Sequence, residues 1–234
     1  MDTFDGRLVV ITGVGGALGG GLARAFTDAG ASVLGVDRVQ PAEAHAVPGA
    51  RYRTVDVGDD AALGAFFDEE PVPWAVVNTV GGFAGRTPLT ELDPDVLLQQ
   101  LRLNLVTAAL ITKHALRRLL PSRATASSPG LPAGAGRLVH TASRSALVTA
   151  GAGFAYSVSK VGVLHLVQMA AAEVRGSGVT VNCVVPSIID TPGNRAAMPA
   201  ADHDSWPKIP DIARTYLYLA SPQSELVSGA AIPV

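Results

Sequence analysis

Short β-branched apolar runs alternate along this chain with longer stretches whose apolar residues recur every three or four positions. The first pattern is that of a buried strand, the second that of a helix with one apolar side. Arg7–Thr12 is the first run and ends in a glycine-rich turn, after which Leu18, Leu22, Ala25, Phe26 and Ala29 mark a helix face that stops at Gly30. Further strands are predicted at Ala31–Val36 (closed by Asp37 and Arg38), Arg51–Val55, Trp74–Asn78, Arg137–Thr141, Val179–Cys183 and, as a short closing strand, Ala230–Val234. Between them the spacing predicts a helix capped by Asp59 or Asp60 and running through Phe67, and a long one from near Pro94 to Leu120, ended by Pro121. Two more are expected, from about 155 to 175 and from Ile209 to Ala220.

Strands that alternate with helices pair in parallel, because a parallel neighbour is reached only by a crossover. The expected fold class is therefore α/β: a single doubly wound, Rossmann-like domain over residues 1–234, with a parallel seven-stranded sheet and helices on both faces. In such sheets ligands bind at the carboxyl ends of the strands. The stretch Ser122–Gly136, rich in Ala, Ser, Pro and Gly, reads as a surface loop before the fifth strand.

Composition narrows this picture without changing it. Hydrophobic residues make up 48% of the 234 and charged residues 16%, which excludes a disordered chain and implies a large core. Eighteen Lys and Arg against 20 Asp and Glu leave a net charge of −2, too small a field to recruit nucleic acid or an acidic membrane. The single cysteine, Cys183, excludes an intramolecular disulfide and a cysteine-clustered zinc site, and reads as a small buried apolar residue. The five histidines form no metal-ligand spacing, so no metal is expected; His140 reads as a strand residue near the site and His165 as a packing residue. Met1–Arg7 is polar and acidic, unlike a signal peptide, and no apolar run approaches the ~20 residues that span a bilayer. A cytoplasmic protein with a small-molecule substrate, and with no nucleic-acid or membrane partner, is the expectation.

The candidate chemistry begins at Thr12–Gly19, between the first strand and the first helix. Glycines there let the backbone turn sharply and approach a pyrophosphate, which the helix N-terminus favours. Asp37 follows 24 residues after Gly13, at the end of the second strand. Its carboxylate suits the two hydroxyls of an adenosine ribose and would repel a 2′-phosphate, favouring NAD over NADP. Arg38 beside it works in the opposite sense and keeps NADP in view. Asp56, after the third strand, is a candidate for the adenine amino group. In Tyr156-Ser157-Val158-Ser159-Lys160 the spacing of four places phenol and ammonium on one helix face. A cation there favours the phenolate and would bring an ordinary tyrosine pKa near 10 toward the range useful for proton transfer.

The glycine turn, Asn78-Thr79-Val80-Gly81, Asn104, Ser143, the Tyr156/Lys160 pair and Asn182–Pro186 follow one another in a single order. In that order the chain resembles the short-chain dehydrogenase/reductase family over nearly its whole length. The resemblance implies a cofactor half over about 1–120, a catalytic and substrate half over about 137–234, and a lid over about 187–208. It implies Tyr156 as general acid or base, Lys160 on the nicotinamide ribose, Ser143 on the substrate oxygen and Asn104 at a proton-relay water. Gly13, Gly16, Leu18, Gly19, Asp37, Arg38, Asp56, Val57, Asn78, Gly81, Pro186, Ile189 and Thr191, with Tyr156 and Lys160, would surround the dinucleotide. Ala17 and Thr79-Val80 depart from the family pattern, as does Ser187, which stands where a glycine is common.

A narrower resemblance, to the quinonoid dihydropteridine reductase-like branch, rests on Asp190–Pro199, Ala201-Asp202, Ser205-Trp206 and Gly81-Gly82-Phe83-Ala84-Gly85. It implies reduction of a quinonoid pterin, although Ser143 is present here where that form lacks a serine. A carbonyl or alcohol substrate and a dinucleotide-binding regulatory protein without turnover stand beside it. Met198 and Trp206 are candidates for a roof over substrate. Arg144 and Arg195 are candidates to meet it, with solvated arginines as the alternative. The helices carrying Asn104 and Tyr156 are apolar on more than one side, including Leu105, Leu110, Val161, Leu164 and Met169. Such helices bury a second face, and the family pairs them across a two-fold, so a homodimer or homotetramer is expected.

Overall fold

Alternate residues of a strand face opposite sides of its sheet, and each apolar run of this chain therefore feeds two cores. The computed structural model describes residues 4–42, 46–120, 136–149 and 151–234. Its strands are β1 (Leu8–Thr12), β2 (Ser32–Asp37), β3 (Arg51–Thr54), β4 (Ala75–Asn78), β5 (Gly136–Thr141), β6 (Val179–Val185) and β7 (Ala231–Pro233). They form one sheet in the order β3-β2-β1-β4-β5-β6-β7, every neighbouring pair parallel. The helices are α1 (Ala17–Asp28), α2 (Asp60–Glu69), α3 (Pro94–Gln100), α4 (Thr107–Leu119), α5 (Phe154–Glu173), α6 (Pro192–Ala197) and α7 (Ile209–Ala220).

Val9, Ile11, Val33, Val77, Val139 and Val184 face α1 and α7, where Leu22, Phe26, Ile212, Tyr216 and Leu219 complete one buried cluster. Val10, Leu34, Val36, Val76, Leu138, Val181 and Val185 face the other way, onto Leu63 and Phe66 of α2, Ile111 and Ala115 of α4, and Val163 and Val167 of α5. Cys183 lies in this second cluster, buried as the sequence suggested.

Most predicted elements appear within one or two residues of their expected bounds. Of the two candidate caps for α2, Asp59 is the one used, accepting from the N–H groups of Ala61 and Ala62 at 2.9 and 3.0 Å. Asp60 instead reaches Lys113 and His114 on α4. β6 extends to Val185 because Val184 and Val185 pair with Ile232 and Pro233 of β7. The long helix is continuous, but a π-helical turn over Leu101–Val106 joins α3 to α4. The six-residue α6 was not anticipated; it is too short to show a period. His165 corrects its expected packing role: it is exposed on α5, in line with exposed Val161 and Met169. Of the expected loop Ser122–Gly136, Gly136 begins β5 and residues 122–135 lie outside the described residues. No helix among the described residues is long and apolar enough to cross a membrane.

Candidate active site

Thr12, Asp37, Asn78, Thr141 and Val185 close their strands along one edge of the sheet. The strand order reverses at β1 and β4, which are neighbours though far apart in sequence. Such a switch point leaves a crevice beyond the strand ends, and here a cleft of about 710 Å³ opens there, walled by Gly13, Gly16, Asp37, Asp56, Thr79 and Gly81 among others.

The glycine turn shapes one wall. Gly13 holds φ +80°, and a Cβ on it would come within 2.8 Å of Thr79 Oγ1 and 2.9 Å of the Val80 nitrogen. A Cβ on Gly19 would overlap the Gly13 carbonyl oxygen, so α1 starts hard against the turn. Thr79, which departs from the family pattern, clamps the turn by donating to the Thr12 carbonyl at 2.8 Å. α1 has no side-chain cap at Gly16, leaving its first N–H groups to an anion. Against the turn, Asp37 accepts from the Gly15 N–H at 2.9 Å and from the Arg38 N–H at 2.7 Å, one on each carboxylate oxygen. Lone pairs remain on both oxygens for two hydroxyls. Asp56 accepts from the Gly58 N–H at 2.8 Å, and Arg38, Val57 and Gly81 share the wall. The turn, the uncapped helix and the free carboxylate positions fit a dinucleotide.

Not every expected cofactor residue lines this cleft. Leu18 packs into the α1–α7 cluster. Asn78 is buried beside the cleft. Its Oδ1 accepts from Thr12 Oγ1 and from the Val80 N–H, both at 2.9 Å, and its Nδ2 donates to His140 Nδ1 at 3.1 Å. That leaves the Nε2–H of His140 to donate to Thr112 Oγ1 at 2.9 Å, since the Thr112 hydroxyl itself donates to the Ala108 carbonyl. Burial pushes His140 down to about 3, so the ring is a neutral crosslink. The Asn78 side chain is thus a strut between β1, β4 and β5. Pro186, Ile189 and Thr191 stand beyond β6: the Pro186 carbonyl accepts from the Arg144 N–H at 2.9 Å, the Ile189 carbonyl accepts from Asn194 Nδ2, and Thr191 Oγ1 caps α6.

Tyr156 and Lys160 share a face of α5, and both are largely buried. Lys160 Nζ donates to the Thr141 carbonyl at 3.0 Å and stands 5.9 Å from the centre of the Tyr156 ring. Burial lowers the lysine to about 8. Burial also raises the Tyr156 phenol above its ordinary value, opposed in smaller part by a hydrogen bond with Ser143. The net shift of the phenol is therefore upward and not the expected downward one, because desolvation outweighs the hydrogen bond. Thr141 is itself fixed: it accepts from the Tyr216 hydroxyl at 2.6 Å and donates to the Asn78 carbonyl at 2.7 Å.

Asn104 is buried in the π-helical turn, where it accepts from the Gly82 N–H at 3.0 Å and donates to the Gly82 carbonyl and to Ser159 Oγ, both at 3.1 Å. Gly81 lies between this amide and the lysine: a Cβ there would come within 2.7 Å of Asn104 Oδ1 and 2.9 Å of Lys160 Nζ. Ser143 opens a 3₁₀ turn over Arg144–Ala146 and accepts from the Ser145 hydroxyl at 3.1 Å.

Sequence reasoning missed Thr79 as the clamp, Tyr216 as the support of Thr141, and Asp95, Gln99 and Arg102 on the cleft wall. The first was visible as a departure from the pattern; Tyr216 comes from α7, and the last three from α3 and the π-helical turn that follows it. In the segment expected to form a lid, Arg195 is held by Asp190 in a two-pronged ion pair, and Trp206 is buried, with its ring centre 4.6 Å from that of His203. Among the described residues no cluster of three or more His, Cys, Asp or Glu could hold a metal ion. A second cavity, of about 520 Å³, lies at the opposite edge of the sheet beside Thr180 and contains none of these groups.

Residues 13–234 match the family model described as enoyl-(acyl carrier protein) reductase. The chain is 29% identical to cis-4-hydroxycyclohexanecarboxylate dehydrogenase of Sinomonas cyclohexanicum, covering 100% of this chain and 96% of that protein. It is 28% identical to D-threitol dehydrogenase of Mycolicibacterium smegmatis, covering 99% and 92%. A solved short-chain type dehydrogenase/reductase from Mycobacterium ulcerans superposes with a TM-score of 0.85 at 26% identity, covering 99% of this chain and 89% of that one.

Proposed function

As this chain belongs to the short-chain dehydrogenase/reductase family of oxidoreductases, we propose that it transfers hydride between NAD(H) and a carbonyl or alcohol substrate, with Tyr156 as acid and base. The observation that carries this reading is the meeting of Ser143, Tyr156, Lys160 and Asn104 beside a cleft built for a dinucleotide. The nicotinamide, when bound, supplies the hydride in reduction and takes it in oxidation.

The protein's own groups handle orientation and the proton. The glycine turn and the start of α1 hold the pyrophosphate, and Asp37 takes the adenosine ribose hydroxyls. Lys160, bound to the Thr141 carbonyl, has N–H groups free for the nicotinamide ribose. Ser143 donates to the substrate oxygen and fixes its distance from the phenol. In reduction the Tyr156 O–H bond breaks and its proton goes to the carbonyl oxygen; in oxidation the phenolate takes the alcohol proton. Asn104 holds the relay water that restores the tyrosine proton. Asp37 on the wall supports NAD over NADP, because a 2′-phosphate would face its charge.

The relatives' names include a ring alcohol and a sugar alcohol, which supports a secondary alcohol or its ketone as substrate. The lid and Gly81–Gly85 support a quinonoid pterin as the second substrate to test. The exposed apolar residues Val161 and Met169 of α5, with Val106 of the π-helical turn, support a homodimer or homotetramer. The reading is tested with NADH carrying deuterium on both positions of C4 and a panel of ketones, β-ketoacyl compounds and quinonoid pterin. Deuterium on the reduced product, with NADH preferred to NADPH, is expected. Saturable NADH binding with no transfer to any acceptor would favour a regulatory role instead.

A further inference from the structure

The substrate-facing side of Tyr156 has a chemistry of its own. Phe83 sets the edge of its ring against Tyr156, with centres 5.1 Å apart and planes at 89°, yet the side chain is 58% exposed. Leu147 and Val148, in the turn that Ser143 opens, are also half exposed. Large apolar side chains left to solvent around a reactive hydroxyl mark the body of a ligand.

The charges there have one sign. No Asp or Glu occurs from Thr79 to Thr90 or from Gly136 to Ala172, the segments that carry Phe83, Ser143, Tyr156 and Lys160. Arg86 lies against the start of α5: its Cγ is 3.8 Å from where a Cβ of Gly153 would stand, beside the Phe83 ring edge at 3.9 Å. Arg144 follows Ser143 directly and is anchored through its N–H to the Pro186 carbonyl. Both arginines are exposed, and among the described residues neither is in an ion pair. In the segment after β6, Asp190 is bound to Arg195, which Asp204 also faces, and Asp202 accepts from the Asp204 N–H.

Resting on the oxidoreductase reading above, we propose that the substrate is an apolar alcohol or ketone that carries a carboxylate, its body against Phe83 and its anion on Arg86 and Arg144. The planar guanidinium fork matches a carboxylate, and an ammonium-bearing substrate would meet only like charge.

The test uses binding to the NADH complex and so does not depend on turnover. Cyclohexanecarboxylate and its neutral counterpart cyclohexanecarboxamide are titrated against the wild type and the Arg86→Gln/Arg144→Gln double variant, with NADH fluorescence as readout. The wild type is expected to bind the carboxylate about tenfold more tightly than the amide. In the double variant the two ligands become equal while NADH affinity and the circular dichroism spectrum match the wild type. Equal binding of the two ligands by the wild type, or a preference that survives in the double variant, overturns the proposal. Deuterium transfer to neutral ketones, measured separately, reports whether the oxidoreductase reading itself stands.

Discussion

His140 carries a titratable ring in the centre of the sheet and keeps it neutral. Its two nitrogens are fixed by Asn78 and Thr112, and its pKa falls from 6.5 to about 3 through burial. Between those values the unfolded chain binds a proton that the folded chain does not, so stability falls as the pH drops through 6.5 toward 3. One unit below 6.5, the ring alone costs about 1.4 kcal/mol. Thermal unfolding of the wild type at pH 7.5 and 5.5 should show this loss, and His140→Gln should show a smaller one over the same interval. An equal loss in both proteins would mean that other groups set the acid limb. At this scale the sequence was partly legible. The placement of Asp37 at the end of β2 and of Tyr156 and Lys160 on one face of α5 could be read from spacing, because strand and helix periods fix the direction in which a side chain leaves the backbone. The use of Asn78 as a strut could not, since it depends on which residue of β5 lies opposite it in register.

The helices divide between those whose sequence pattern explains them fully and those that leave a remainder. α7 shows one apolar face and buries it. α5 is apolar nearly all round: Val163 and Val167 are buried, while Val161, His165 and Met169 form an open stripe, with Val106 of the π-helical turn also exposed. An apolar stripe of this kind is covered in stable proteins, and a second copy of the chain is the occupant proposed here. Sedimentation at micromolar concentration should give at least twice the 23.9 kDa of one chain, falling toward that value in Val161→Glu/Met169→Glu. A wild-type mass near 23.9 kDa would contradict the pairing. The π-helical turn itself had no signature in the sequence, because one extra residue in a turn shifts the 3.6-residue period too little to see. Its effect is nevertheless definite: it seats Asn104 against Gly82 and Ser159.

For the whole molecule, a single parallel, doubly wound sheet of seven strands followed from a simple alternation, because parallel strands need crossovers. That placed the strand ends of β1, β2, β4 and β5 along one edge before any contact was known. The lid was less legible: its proline-rich sequence set no period, and the pairing of Arg195 with Asp190 and the burial of Trp206 are tertiary facts. The proposed chemistry turns on the proton carried by Tyr156. Its most direct test is the steady-state reduction of an accepted ketone by NADH in wild type and Tyr156→Phe, with NADH affinity measured alongside by fluorescence. Removing the hydroxyl should lower kcat by about 10³-fold while NADH affinity stays within about twofold, the variation expected from a change that spares the cofactor contacts. Turnover in the variant close to that of the wild type would contradict the account.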